Sequence, residues 1–370
     1  MKIKKLILLV VMALISTLSF SQVTRYWIGG GTAHFTNGAK WSLTSGGPPI
    51  GGTISWANND IARFDANSGS PTVNYSSSTD IGKLQISGSI TLTIKNTHSV
   101  SRTFTVRAST SDALTVAAGS TLIISGESKN TTIRMYNDYG VTANISGTVK
   151  VVTGADGGIG KFEKGSNATI NFNSGSKYQH DVNSDALPEA TWHTTSTCEI
   201  TGVTSSKPSN INQSFGHFIW NCPGQTSDIS INDSFTVKGN FTVASTGFSE
   251  LRISYSTSRS IIINGNFLLN AGTFILSKSG ASSTMHVNGN FTINGGDFYI
   301  SQGGGLSLLN IDGNFMLNNN RTIWMSSGSG YTGLNVKGHF AMSGDIRPVS
   351  YTHLRAHETV LDLVCRLLLE

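Results

Sequence analysis

Apolar and polar residues alternate in short runs along most of the chain, and past the midpoint the runs recur at a fixed distance. One glycine column is followed by Asn or His and then Phe: Gly216-His217-Phe218, Gly239-Asn240-Phe241, Gly265-Asn266-Phe267, Gly289-Asn290-Phe291, Gly313-Asn314-Phe315 and Gly338-His339-Phe340. The spacings are 23, 26, 24, 24 and 25. Two residues before the glycine stands Val237, Ile263, Val287, Ile311 or Val336. Four after it stands Trp220, Val243, Leu269, Ile293, Leu317 or Met342. Apolar positions two apart are the strand signature, since successive side chains of a strand point to opposite faces. A second column nine residues past the glycine holds Phe248, Phe274 and Phe298, with Thr322 in the next copy, and a third strand fits Ser283 to Val287, Ser307 to Ile311 and Leu334 to Val336.

A unit of strands and turns that repeats in one chain direction stacks in parallel, whereas hairpins would alternate direction. The pattern therefore predicts an all-β chain: a right-handed parallel β-helix of about 24 residues per coil, each coil about 4.8 Å above the last. Phe218, Phe241, Phe267, Phe291, Phe315 and Phe340 are expected to stack inside it. Asn240, Asn266, Asn290 and Asn314 are expected to hydrogen-bond up a column at the bend, beside glycines that supply the backbone angles of a turn. This makes asparagine architectural; the alternative is a polar row that reads a ligand. His217 and His339 occupy the ends of that column and read as substitutions within it. Upstream, Leu84 to Ile94, Leu114 to Gly126, Thr142 to Val152 and Lys161 to Tyr178 alternate likewise around Gly88, Gly119, Gly147 and Gly165, at looser spacings of 31, 28 and 18. The β-helix is placed over 76–347, with 22–75 as an N-terminal cap or irregular first coils.

Both ends differ from the repeat. Lys2, Lys4 and Lys5 precede the mostly apolar run Leu6 to Phe20, and Ser19-Phe20-Ser21 offers small residues for cleavage, so 1–21 reads as a secretory signal peptide. No later segment is apolar for long enough to span a bilayer as a helix. Residues 348–370 lose the Gly, Ser and Asn richness just before them. Val349-Ser-Tyr-Thr-His-Leu-Arg-Ala-His-Glu-Thr, ending Leu-Val-Cys-Arg-Leu-Leu-Leu-Glu, resembles translated sequencing adaptor, so this tail is expected to be an artefact outside the fold, with the natural C-terminus missing. His353 and His357, four apart beside Glu358, are accordingly not taken as metal ligands.

Composition narrows the function classes. Gly 41, Ser 50, Thr 40 and Asn 30 exceed two-fifths of the 370 residues, which excludes a helical bundle because these are poor helix formers. Basic and acidic residues number 26 and 21, and 21 and 18 once both ends are set aside, too small an excess for nucleic-acid binding. Cys198 and Cys222 lie one 24-residue coil apart, so a disulfide between stacked coils is the candidate pairing, against two buried thiols. No cofactor and no catalytic set is expected. Two cysteines without clustered partners make no zinc site, and no two acidic residues are adjacent. Asp60, Asp65, Asp138, Asp156, Asp181, Asp185, Asp228, Asp233, Asp297 and Asp312 are scattered at turn-like positions. Gly154-Ala-Asp-Gly-Gly-Ile-Gly160 echoes a calcium-binding nonapeptide once and imperfectly, and Gly-Gly-Gly at 29–31 and 303–305 lacks a phosphate-loop context. Trp27, Trp41 and Trp56 suit either a sugar-stacking platform or a cover for the open end of the solenoid.

Several segments resemble a family. Tyr26-Trp-Ile-Gly-Gly-Gly31, Lys40-Trp-Ser42, Ser45-Gly-Gly47, Asp60 and Phe64-Asp-Ala-Asn-Ser68 look like the opening of large, uncharacterised Bacteroidota-type cell-surface proteins. Ala190-Thr-Trp192, Ser196 to Val203, Asn212 to Gly216 and Trp220-Asn-Cys222 are similar to their interior, and the resemblance covers most of 26–345. It implies a cell-surface location, a solenoid stalk and often type IX secretion, although the C-terminal sorting domain of that route is not found here. The expected function is an exported structural or adhesin-like protein that contacts glycans or other surface components. The alternatives are a β-helix polysaccharide lyase or glycoside hydrolase, for which three or more carboxylates converging with Arg or Lys would speak, and a passive spacer for a missing C-terminal module.

Overall fold

The computed structural model describes residues 22–347 and, as backbone, the strand Thr352–Ala356. The chain is a β-solenoid of about 25 residues per turn, with single-turn 3-10 helices at Gly38–Lys40 and Ala66–Ser68 as its only helical segments among the described residues. A typical coil lays one strand on each of three lateral faces, as in Leu114–Val116, Thr121–Ser125 and Thr131–Met135, or Ser283–Val287, Phe291–Ile293 and Asp297–Gly303. The strands are short and rich in Val, Ile, Phe and Thr. They end at Gly, Asn and Ser, whose backbones and side chains suit corners.

One 13-stranded sheet runs the length of the molecule, from Thr32–His34 to Phe340–Met342. The other two faces are each divided. On the first, an eight-stranded sheet ending at Thr191–Trp192 gives way to a seven-stranded one beginning at Ser214–Phe215. On the third, four strands ending at Gly160–Lys164 are followed by six beginning at Ile229–Ser230. Between them, residues 182–190 and 201–213 replace the third strand; a single parallel bridge, Ala186–Ser209, remains of the ladder, and side chains supplement it. Asn183 Oδ1 accepts from the N–H groups of Thr204, Ser205 and Ser206, each at 3.0 Å. Gln213 Oε1 accepts from Ala190 N at 3.1 Å and Trp192 Nε1 at 3.2 Å.

Among the described residues all strand pairs are parallel except Trp41–Ser42, which runs antiparallel to Thr24–Trp27 at the N-terminal edge of its sheet. The segment 22–75 joins the same sheets: Thr24–Trp27 pairs with Ile61–Phe64, and Thr32–His34 with Thr72–Tyr75. Residues 1–21 and most of 348–370 lie outside the described residues. Within the latter, the backbone of Thr352–Ala356 pairs in parallel with Thr332–Val336. No helix among the described residues is long and apolar enough to cross a membrane.

The core is a continuous file of apolar side chains. On the long sheet one interior row reads Leu92, Leu122, Val149, Tyr178, Cys198 and Phe218, and Phe218 then pairs with Phe241 and so on to Phe340. Each fully buried ring contributes about 1.5–3 kcal/mol relative to exposure. The N-terminal end is closed by aromatics, with Trp27 and Trp41 at 0% exposure and Trp56 stacked on Phe35 at 4.5 Å.

Candidate functional site

The phenylalanine column is in register as the sequence predicts. Phe218 pairs with Phe241, then Phe267, Phe291, Phe315 and Phe340, with ring centroids 5.4, 5.5, 4.7, 5.6 and 4.6 Å apart. Beside it the asparagine column forms a ladder of side chain to backbone. Asn240 Oδ1 accepts from Asn266 N (2.9 Å), Asn266 Oδ1 from Asn290 N (2.8 Å), Asn290 Oδ1 from Asn314 N (2.9 Å) and Asn314 Oδ1 from His339 N (2.9 Å). At the lower end His217 Nδ1 takes the acceptor's place, receiving Asn240 N at 2.9 Å. Both histidines therefore serve as column substitutions. A Cβ on Gly265 would stand 2.4 Å from Asn240 Oδ1, and one on Gly289 2.5 Å from Asn266 Oδ1. Neither glycine has a positive φ. The column is glycine because the preceding coil's amide comes too close, and not, as expected, to supply turn angles.

Four further expectations are corrected. Phe248 is fully exposed at a turn, and Leu251 occupies the interior place below Phe274; above Phe298 the place goes to Ile323, the neighbour of Thr322. Cys198 and Cys222 are free, buried thiols. The coil between them is short because it lacks a third strand, so Cys198 pairs with Phe218 across 20 residues, while Cys222 lies four residues further along and donates to Ile200 O at 3.4 Å. Burial drives the Cys198 thiol well above its usual range and pushes Cys222 up to about 12. Gly165 follows Gly160–Lys164 at a different corner. The upstream column of Gly88, Gly119 and Gly147 continues instead to Gly175, just before Lys177–Asp181.

The expected tryptophan cover is present, and a sugar platform there is not available. Trp27 and Trp41 meet edge to face at 5.1 Å, and the half-buried Trp56 lies between Phe35 and the Arg25 guanidinium, 4.8 Å from its ring. A second aromatic stack lies outside the third face. Tyr299 stacks on Trp324 at 5.6 Å and 8°, with Arg347 over Trp324 at 4.9 Å, so both faces of that indole are occupied.

The acids serve local structure. Asp60 accepts from Val23 N and Ala57 N and pairs with Arg25 at 2.6 Å. Asp65 caps Ala66–Ser68. Asp185 pairs with Lys161 at 2.6 Å, and Asp312 with Lys337 at 2.9 Å. The densest charged group is Asp228, Glu250, Arg252 and Lys278 on the third face. Arg252 bonds both carboxylates, and Lys278 reaches Glu250 at 2.8 Å. Among the described residues no three or more His, Cys, Asp or Glu side chains form a group that could hold a metal, and Asp156 in the calcium-like loop is exposed in the turn closed by Thr153 and Ile159. A hollow of about 410 Å³ borders Arg107, Arg134, Tyr136 and Lys164. Arg107 lies 3.7 Å over the Tyr136 ring and pairs with Asp80, Arg134 with Glu163, and Lys164 with Glu189.

The outward side of the long sheet divides into two chemical halves. Its N-terminal half carries the ion pairs Lys95–Glu127, Lys150–Asp181 and Lys177–Glu199. The strands of its C-terminal half carry no Asp, Glu, Lys or Arg, and the nearest charges, Lys238, Asp312, Lys337 and Arg321, stand in the corners on either side. There the middle outward row is Ile219, Thr242, Leu268, Thr292, Met316 and Ala341. On one flank runs the Asn240–Asn314 ladder. On the other, Asn294 Nδ2 donates to Asn270 Oδ1 at 3.2 Å, and Asn318 Nδ2 to Asn294 Oδ1 at 2.8 Å. A trough of about 230 Å³ lies along the middle row between Asn240 and Met316. The sequence located the first asparagine column. The second was missed, although Asn270, Asn294 and Asn318 recur 24 residues apart. No protein-family model matches the chain, and no curated protein or solved structure is found to be similar to it.

Proposed function

We propose that the chain is an exported cell-surface protein of structural or adhesin-like kind, a β-helical stalk whose lateral surface contacts glycans or other surface components. The observation that carries this reading is the C-terminal half of the long sheet, where a charge-free, regular face is held out on a scaffold that uses the recurrent side chains for its own stacking. Export is supported by the basic and apolar leader pattern within 1–21. The surface location, with type IX secretion as its route, is supported by the resemblance of 26–345 to Bacteroidota-type surface proteins. Asp228 and Glu250 are both held by Arg252, which favours a scaffold over a lyase or hydrolase. A glycan array read together with a reducing-end assay on the bound polymers tests the proposal. Binding without chain cleavage is the expected result. Release of new ends would replace it with an enzyme, and absence of any binding would leave a passive spacer.

A further inference from the structure

From the geometry of the charge-free face we infer that it is the binding surface for an extended, uncharged, β-linked polysaccharide lying parallel to the solenoid axis, an inference that rests on the glycan-contact reading above and assigns it a place and a ligand class. Adjacent outward columns stand about 6.6 Å apart, two residues along a strand, and rows repeat about every 4.8 Å. A β-linked pyranose ribbon is flat, with C–H groups on its two faces and hydroxyl groups along both edges. On this face its C–H side would rest on Leu268, Thr292 and Met316, and its edges would meet the asparagine columns.

The hydrogen-bond accounting supports that ligand. In the Asn240 column the Oδ1 atoms are engaged by backbone N–H groups of the next coil, while the Nδ2 groups have no protein partner among the described residues. In the Asn270 column each of Asn294 and Asn318 spends one Nδ2 hydrogen on the coil below and keeps the other. The face thus presents rows of oriented donors with few unengaged acceptors, which suits the oxygens of hydroxyl groups and ring ethers. The ladders already fix these side chains, so binding loses little rotamer freedom. A polyanion would find no cation along the middle row, since Lys238 and Lys337 stand in the corner and are engaged by Trp192 O and Asp312, and a second copy of the same face would bring donors against donors. The asparagine column is architectural through its oxygen and available for recognition through its nitrogen.

The experiment is calorimetric titration of the purified protein with cellohexaose and xylohexaose, with sedimentation on microcrystalline cellulose as a second readout. Thr292→Glu and Met316→Glu each place a charge in the middle row without touching the core, and each is expected to weaken binding at least tenfold with an unchanged melting temperature. Gln179→Glu, in the same outward row of the ion-paired half, is expected to bind like the parent. Two separate variants keep the test decisive if one of them folds poorly. Parent-like binding by both glutamate variants would overturn the assignment. Binding of polygalacturonate alone would overturn it while leaving glycan contact in place elsewhere, whereas loss of all glycan binding, charged or neutral, would remove both readings. A concentration-dependent dimer dispersed by Thr292→Glu would make the face an interface between copies, and the inference would fall.

Discussion

Gly289 shows how tightly one coil rests on another. Its N–H bonds Gly265 O at 3.0 Å, and a Cβ would stand 2.5 Å from Asn266 Oδ1 and 2.6 Å from Gly265 O. Both obstacles belong to ladders that cannot shift without breaking register. Gly289→Ala is therefore expected to lower stability by about 1–3 kcal/mol, the usual range for overpacking. Gly280→Ala, with nothing within 4 Å and an ordinary φ, should change it by less than about 0.5 kcal/mol. Urea unfolding midpoints compare the two. His180 tests burial of a different kind. It is fully buried, with Nδ1 against Tyr178 Oη at 3.1 Å and Nε2 donating to Ser184 O at 2.7 Å. Burial holds the imidazole below its ordinary value, opposed by the bond to Ser184. Well above about pH 6.5 neither the folded nor the unfolded imidazole carries a proton, so the full contribution is present. As pH falls below that value the unfolded chain takes up a proton that the folded one resists, and stability declines by at most about 1.4 kcal/mol per pH unit until the folded imidazole titrates too. His180→Gln should flatten this acid limb in denaturant melts run across pH. Parallel limbs for the two proteins would clear His180 of the effect.

At the scale of the strand, equal sequence spacing does not guarantee equal position. Phe248 and Phe298 fall in one column of the sequence, yet Phe298 is sealed between Phe274 and Ile323 while Phe248 stands in solvent. The turn Thr246-Gly247 leads into the strand Glu250–Ser254, so the interior place is reached three residues after Phe248, at Leu251. Phe298→Ala is expected to cost about 3–5 kcal/mol and Phe248→Ala less than about 0.5, again by urea midpoint. Legibility followed the same division. The Gly-Asn-Phe corner was readable because three chemical demands fall on adjacent residues of every coil: close approach, a ladder acceptor and an interior ring. The third-face strands were less so, because their corners are met by serines, as where Ser254 Oγ reaches Ser283 Oγ at 2.7 Å, and serine recurs throughout the chain. Gly165 and Gly175 could not be told apart by type, since glycine serves corners between different pairs of faces. The missing strand near 182–190 shortens the coil, and this displaced Cys222 from Cys198.

For the molecule as a whole, stacking couples each coil chiefly to its neighbours, so stability is a sum of coil and interface contributions and need not be uniform along the axis. A coil joined to the next by three ladders has more backbone bonds to break than one joined by fewer. Between Gly160–Lys164 and Ile229–Ser230 the third ladder is reduced to the single bridge Ala186–Ser209, and the first changes sheets between Trp192 and Ser214, so the long sheet alone runs unbroken through this waist. Its parallel pairs Tyr178–Cys198 and Cys198–Phe218 hold the core file there, while Asn183 and Gln213 tie the loops from outside. Opening should therefore begin in 182–190 and 201–213 with the long sheet still formed. In native-state hydrogen exchange, amides of those loops are expected to exchange fastest among residues 160–320, with Phe241–Ser245 and Phe267–Leu269 among the slowest. Asn183→Ala deprives Thr204, Ser205 and Ser206 of their shared acceptor and should speed exchange at these three amides without changing that of Phe267–Leu269. Uniform protection through the waist, or acceleration spreading equally to both halves of Asn183→Ala, would mean that the solenoid opens as one unit and that the two divided faces leave no weak point between them.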